Sequence, residues 1–436
     1  MATANPATAR RRSSLARCRR CRRWTWAVVE SGRSGYGGRL GRASLAALAV
    51  LALGLVAGCR QQAAAPTVEP DVAPVAFHAQ GEPELLSQWQ LLRMADGRLQ
   101  PNAGVLPYEL NTPLFTDYAH KLRTLWMPEG VSARYTDQGS FEFPVGTIIS
   151  KTFYYPRVAG EAAGSPAVLR SDGHEGALTD GGLALDQVRL VETRLLVRRQ
   201  EGWLALPYVW NPEQTEARLM RGGELVDLDL VDGQGGHEAI AYQVPDQNQC
   251  ACCHGSDMNS RDVHPIGPMA RHLNRDVSWL DAAGTPVHGN QLQYWQQLGY
   301  LDGLPEAAEV PRVADWRDPQ ASVDARARAY LDINCAHCHS PVGPGATSGL
   351  WLASEVDDPL RLGRCKLPIA AGHGTGGHRF GIMPGQPDES ILLYRMISTD
   401  PGVMMPELGR SLVHTEGVDL IRQWIAEQEG KCEEAG

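Results

Sequence analysis

Between residues 81 and 245, apolar and polar positions follow one another in short runs broken by Pro and Gly. Phe141 to Tyr155 (FEFPVGTIISKTFYY) and Val188 to Val197 (VRLVETRLLV) are rich in β-branched and aromatic residues, the composition of strands. Gln200-Glu201-Gly202 ahead of Trp203-Leu204-Ala205-Leu206 predicts a hairpin, and Ile240 to Val244 a further strand. An antiparallel sandwich or barrel is the simplest arrangement of such segments. Towards the C-terminus the period changes. Ser322 can cap a helix from Val323 to Asn334, with Ala327, Tyr330 and Leu331 on one face. Thr415 can cap a second, Glu416 to Glu427, where Val418, Ile421, Trp424 and Ile425 recur at helical spacing.

The N-terminal segment, positions 1–58, stands apart. It carries eleven arginines, no lysine and one acid, Glu30, and ends in the uncharged run ASLAALAVLALGLVAG (positions 43–58). Sixteen apolar residues suit a signal-peptide core and are short for a membrane span, which needs about 20. Val56-Ala57-Gly58-Cys59 resembles the lipobox of bacterial lipoproteins, in which the cysteine is diacylated and becomes the mature N-terminus. The expectation is an exported, lipid-anchored protein on the periplasmic side. Arg60, not Asp, follows the lipidated Cys59, which favours the outer membrane. Residues 59–80, rich in Ala, Pro and Gln, read as a flexible tether.

The net charge of −9 conceals an asymmetry. From Cys59 onward the acidic side chains far outnumber the basic ones, because the N-terminal segment holds so many of the arginines, and the mature body is more acidic than the whole chain. Such a body repels nucleic acid and suits a redox partner with a basic docking patch. In TDYAHKLR, the group Asp117, His120, Lys121 and Arg123 reads as a solvated polar face.

The ten cysteines carry the chemistry. Cys18 and Cys21 leave with the signal, and Cys59 takes the lipid. Cys250, Cys253 and His254 form C-A-C-C-H; Cys335, Cys338 and His339 form C-A-H-C-H. Both are C-x-x-C-H, the haem c attachment signature. Two thiols three positions apart reach the two vinyl groups on one edge of a porphyrin, and the next residue, His, turns its ring to the iron. Disulfides, a zinc site or a redox-active thiol pair are the alternatives, and a zinc site needs Cys and His pairs closer together than these motifs are in sequence. Cys365 and Cys432, in an oxidising compartment, could pair; Cys252 reads as an unpaired thiol.

Two haem segments are therefore expected, residues 246–318 and 320–432. Each iron needs a sixth ligand. Met405, in Met404-Met405-Pro406, lies far downstream of His339 and just before the last helix, ahead of Met404 and Met383 as candidates. His373 and His378 read as loop residues. For the first motif Met258 is too close behind His254, which leaves His264, Met269 and His272, with Met269 favoured. An open coordination position is a further option.

The order Cys-x-x-Cys-His, loop, Met-Pro, last helix is that of class I cytochromes c. More widely, residues 83–428 resemble a family of bacterial diheme c-type cytochromes, many of them lipoproteins. The resemblance is carried by Tyr108-Glu109-Leu110-Asn111-Thr112-Pro113-Leu114-Phe115, FPVGTIISKTFYYP, YVWNPEQTEA, VPDQNQCACCH, IGPMARHLN, YLDINCAHCHSP and MMPELGR. The chain departs from the family at Met269, where Lys is frequent, and at Cys252, where a small polar residue is usual. The resemblance implies an α+β multidomain chain, a β-rich domain (81–245) followed by two mainly α-helical cytochrome c domains, and a carrier that passes electrons between redox protein partners through two haem c groups. An enzyme of the diheme peroxidase or oxidase type, with an open or labile first haem, is the alternative; the acid–base groups it needs are not evident. A third reading makes the β domain a capture module for a partner.

Overall fold

A computed structural model of the chain describes residues 73–433, except 173–177, 180, 181, 256–259, 261, 281–285 and 370. The signal segment, Cys59 and Met258 lie outside the described residues. Within the segment expected to be a tether, Val75 and Phe77 instead pack on the core, and Ala76 donates its N–H to the Trp89 carbonyl.

The centre is an open six-stranded antiparallel sheet. Its strands are β1 (Leu106–Tyr108), β2 (His120–Trp126), β3 (Ile148–Pro156), β5 (Val188–Arg199), β6 (Gly202–Trp210) and β7 (Ala217–Leu219), in the order β7-β6-β5-β3-β2-β1. A smaller sheet, ordered β9-β8-β4, joins β4 (Ala167–Leu169) in parallel to β8 (Glu224–Val231), which pairs antiparallel with β9 (His237–Val244). The predicted hairpin is the β5–β6 turn, where Arg199 pairs with Gly202. Gly202 takes φ 140°, a conformation open to glycine and strained for other residues. The strand expected from Phe141 begins only at Ile148, because Pro144 to Gly146 turn the chain and Thr147 N–H closes on the Pro144 carbonyl.

Alternation along the strands gives the large sheet two buried faces. One carries Ile148, Tyr154, Leu195 and Val197 against Leu86, Trp89 and Leu91. The other carries Leu125 and Ile149 at one end and Phe153 and Tyr155 at the other. The first pair belongs to a core with Ala270, Leu273, Leu292 and Trp295; the second packs on Leu228, Ile240 and Tyr242 of the small sheet.

The two mainly α-helical cytochrome c domains expected from the sequence are absent from this architecture. Strand (28%) outweighs helix (19%), and the described residues hold six α-helices. Around and after the first motif the described residues form only α1 (Gln247–His254), which carries it, α2 (Ala270–Leu273) and α3 (Gln291–Gln297), a hairpin of Asp276–Leu280 with Pro286–Asn290, and the strand Leu301–Asp302. That last strand pairs in parallel with Ala133–Arg134. So short a stretch buries too little apolar surface to stand alone, and it builds its core jointly with the β body. The C-terminal stretch has α4 (Val323–Leu331), α5 (Ile391–Ile397) and α6 (Thr415–Ala426). Between His337 and Ser390 the described chain forms turns and short 3-10 segments, as expected of the Gly- and Pro-rich GPGATSG and GHGTGG.

Helices α4 and α6 cross closely. Ser322 Oγ accepts from Ala325 N–H at the start of α4. A side chain at Gly417 of α6 would meet the Tyr330 ring, its Cβ falling 2.4 Å from the hydroxyl. Trp424 Nε1 donates to Asp324 at 2.7 Å. Cys365 and Cys432 form a disulfide that ties the middle of this stretch to its end.

Candidate functional site

Each C-x-x-C-H motif sits on a short helical turn whose sequence accounts for its placement. Strand β9 delivers the chain to Asp246, whose carboxylate accepts the Gln249 N–H at 2.8 Å while the Gln249 side chain accepts the Asp246 N–H. This capping box starts α1, which carries Cys250, Cys253 and His254. Gln247 ties α1 to β6 through the Ala205 carbonyl. The second motif follows α4 without a break: a π-helical segment, Asp332–Ala336, carries Cys335, and Cys338 and His339 follow in the next turn.

The two motifs, far apart in sequence, meet in space. The Cys253 and Cys338 sulfurs and one His337 ring nitrogen lie within 4.8 Å of one another. Both motif histidines are anchored through Nδ1, His254 to the His264 carbonyl at 2.8 Å and His339 to the Ser348 hydroxyl at 3.0 Å. An imidazole fixed in this way offers Nε2 to a metal, the usual arrangement of a metal-binding histidine with its outer partner. Burial above all pushes both rings down to about 4, which keeps them neutral and able to coordinate at neutral pH.

The structure also sorts the sixth-ligand candidates. His264 holds His254 through its backbone carbonyl, and its own side chain is exposed. His272 is buried and hydrogen-bonded to Asp332 at 3.1 Å. Met269 is half-buried at the N-cap of α2. His378 packs on Tyr394 and pairs with Glu389; His373 is exposed. Met404 is buried and Met383 half-buried, its N–H bound to Ser390. Met405 is half-buried on a loop held from both sides: its N–H donates to the Arg395 carbonyl, and its own carbonyl accepts from Arg410. The loop is tied at Arg395 to α5 (Ile391–Ile397), whose Leu393 and Met396 share a core with Cys335 of the second motif. Cys252 is not disulfide-bonded.

A buried clamp joins the segments that bear the two motifs. Asp332, just ahead of Cys335, accepts from Arg271 Nε at 2.7 Å, Arg271 Nη2 at 3.1 Å and Ser354 N–H at 2.9 Å, besides its contact with His272. Burial opposes its charge, but His272 and Arg271 prevail and hold Asp332 well below the carboxylate range.

The face read as solvated is buried. Asp117, His120 and Arg123 are all under one-tenth exposed. Asp117 accepts the Ser411 and Leu412 N–H groups and so fastens the sheet to the C-terminal stretch. Around it, Phe115 stacks on His414 and donates its own N–H to Asn334. Burial, and next the Lys121 charge, push His120 down to about 4. The unfolded chain takes up a proton below its ordinary value near 6.5, whereas the folded chain waits until about 4. Stability is therefore lost as pH falls from 6.5 to 4, by about 3 kcal/mol from this residue. In His120→Gln that share of the acid slope is absent; unfolding free energies of both proteins at pH 7 and pH 4 measure it, and equal slopes contradict it.

Sequence reading missed a row of cations. Arg123 of β2, Lys151 of β3 and Arg194 of β5 are direct cross-strand neighbours, with Lys121, Phe153 and Glu192 forming the next row. Their signal is a charge on the inward parity of otherwise apolar strands. Glu192, fully buried, is taken by Arg194 at 2.8 and 2.5 Å and by the Tyr242 hydroxyl at 2.7 Å. Burial, followed by the Arg123 and Arg194 charges, pushes the Lys151 ammonium down to about 7. Comparison with protein-family models, with curated proteins and with solved structures finds no match to this chain.

Proposed function

We propose that this chain is an exported diheme c-type cytochrome that passes electrons between redox protein partners in the periplasm, held to a membrane by a lipid on Cys59. The observation that carries the reading is the convergence of two complete C-x-x-C-H motifs on one place, with each histidine fastened through Nδ1. Haem c, when bound, would supply one-electron exchange at iron. Cys250, Cys253, Cys335 and Cys338 would hold two such groups covalently. His254 and His339 would present Nε2 to the irons, oriented by the His264 carbonyl and the Ser348 hydroxyl. Met405 would be the candidate further ligand of the second group, and Met269 the remaining candidate for the first. Motifs in contact favour electron exchange between the two groups within one chain, and the acidic mature body favours a partner with a basic face.

Two tests separate a carrier from an enzyme. The protein, exported in a host with haem-maturation machinery, is recorded oxidised and reduced, with and without carbon monoxide. A carrier shows both haems low-spin and unreactive to carbon monoxide. A high-spin or carbon-monoxide-binding haem contradicts the carrier and favours a peroxidase- or oxidase-type enzyme, for which peroxide turnover is the next assay.

One observation favours a second reading. Cys253, His337 and Cys338 present three donors to one point, the beginning of a structural zinc site. Zinc in the exported protein without a haem spectrum would favour it.

A further inference from the structure

Like charges placed directly opposite in a sheet destabilise it, and buried charges are ordinarily paired. The sheet face beside the first motif breaks both rules. Arg123, Lys151 and Arg194 share one row, and Lys121 adds a fourth cation in the next. Lys121 spends its ammonium on the Leu114 and Ala119 carbonyls, which carry no charge. Among the described residues one carboxylate, Glu192, lies on this face, and Arg194 with Tyr242 consumes it. Among the described residues neither Arg123 nor Lys151 has a carboxylate within ion-pair distance. The row is flanked on one side by Leu125, Ile149 and Leu196, on the other by Phe153 and Tyr155; Arg123 is buried, and Lys151 and Arg194 are half-buried. Like charges crowded on one partly buried face are costly unless a charge of opposite sign joins them.

The position of the row indicates where that charge comes from. Helix α1, which bears the motif, is tied to the Ala205 carbonyl of β6, and Ala205 pairs with Leu196 on this same face, two residues from Arg194, so the row lies beside the α1 motif. Resting on the diheme reading above, we propose that Arg123 and Lys151 bind the propionate carboxylates of the haem attached at Cys250 and Cys253, with Arg194, already engaged by Glu192, at the end of the row. Arg123 offers a forked donor that matches a carboxylate, and Lys151 stands beside it as a point charge. The apolar residues on either side would then lie along the macrocycle. The first motif thus obtains from the β sheet what its own short helix lacks, a rigid polar seat for the far edge of its cofactor.

The test uses the exported, haem-loaded full chain and the variants Lys151→Met, Arg123→Gln and Lys151→Arg. Covalent haem is counted first, by the pyridine haemochrome spectrum. The propionate bending bands are then read by resonance Raman, and the midpoint potentials by spectroelectrochemistry. In Lys151→Met and Arg123→Gln the propionate band of one haem shifts and that haem becomes easier to oxidise, while the other is unchanged. Lys151→Arg keeps the wild-type band. Two haems per chain with unmoved propionate bands in both neutral variants overturn this inference alone. A wild-type chain without haem overturns the diheme reading and this inference with it. Should Lys151→Met fail to accumulate, Arg123→Gln reads the same row from the adjacent strand.

Discussion

Asp332→Ala is expected to cost about 3–5 kcal/mol of stability at pH 7, the penalty of leaving a buried charge without its partner. Asp332 is 3% and Arg271 7% exposed, so water cannot replace the lost carboxylate. Truncation strands the Arg271 guanidinium, frees the His272 ring and leaves the Ser354 N–H without its acceptor. The pH dependence has a defined sign. Asp332 is held below its ordinary carboxylate value, so its contribution is complete above the unfolded value near 4 and fades as pH falls towards the lower folded value. The gap between wild type and variant is therefore full at pH 7 and narrower below pH 4. Urea unfolding at both pH values reads it. A variant as stable as wild type at pH 7 would mean that the clamp is not formed.

The second large effect concerns the cofactors. In Cys335→Ser/Cys338→Ser the second motif loses both thioether positions, and covalent haem per chain should fall to half of the wild-type count. The first motif keeps its cap at Asp246, its anchor on β6 and its histidine fastened to the His264 carbonyl, none of which involves the altered thiols. Its haem is expected to remain, measured as pyridine haemochrome per chain. Loss of both haems would mean that the two sites load only together, through the contact of Cys253 with Cys338.

What could be read in the sequence was local. Helix α4 begins where Ser322 can cap it, and α6 shows the spacing of Val418, Ile421, Trp424 and Ile425. The β5–β6 hairpin follows from Gly202, and β9 leads into the first motif through a capping box just beyond its end. The C-x-x-C-H motifs are local as well, because two thiols and an imidazole must fit one porphyrin edge.

What could not be read depends on pairing between distant segments. The row Arg123–Lys151–Arg194 arises from strand register, which turn lengths and packing set together, and no single strand reveals it. The burial of TDYAHKLR depends on Ser411 and Leu412, from the far end of the chain, coming to rest on Asp117. The expected division into independent helical domains failed for a similar reason. Motif spacing suggests one haem per domain, but Trp295, Leu292 and Leu273 bury themselves with Leu125 and Phe141 of the β body, so the first motif has no separate core. The Asn111 and Thr112 side chains reinforce that union by donating to carbonyls at Arg271, Asn274 and Ala314.

The central claim is that the two converging motifs each carry a covalent haem. The most direct measurement is the pyridine haemochrome spectrum of the exported full-length protein, divided by chain concentration, with the intact mass of the same sample. The account predicts two covalently attached haems per chain. A chain of bare polypeptide mass, with Cys253 and Cys338 free, oxidised together or holding zinc, would contradict it.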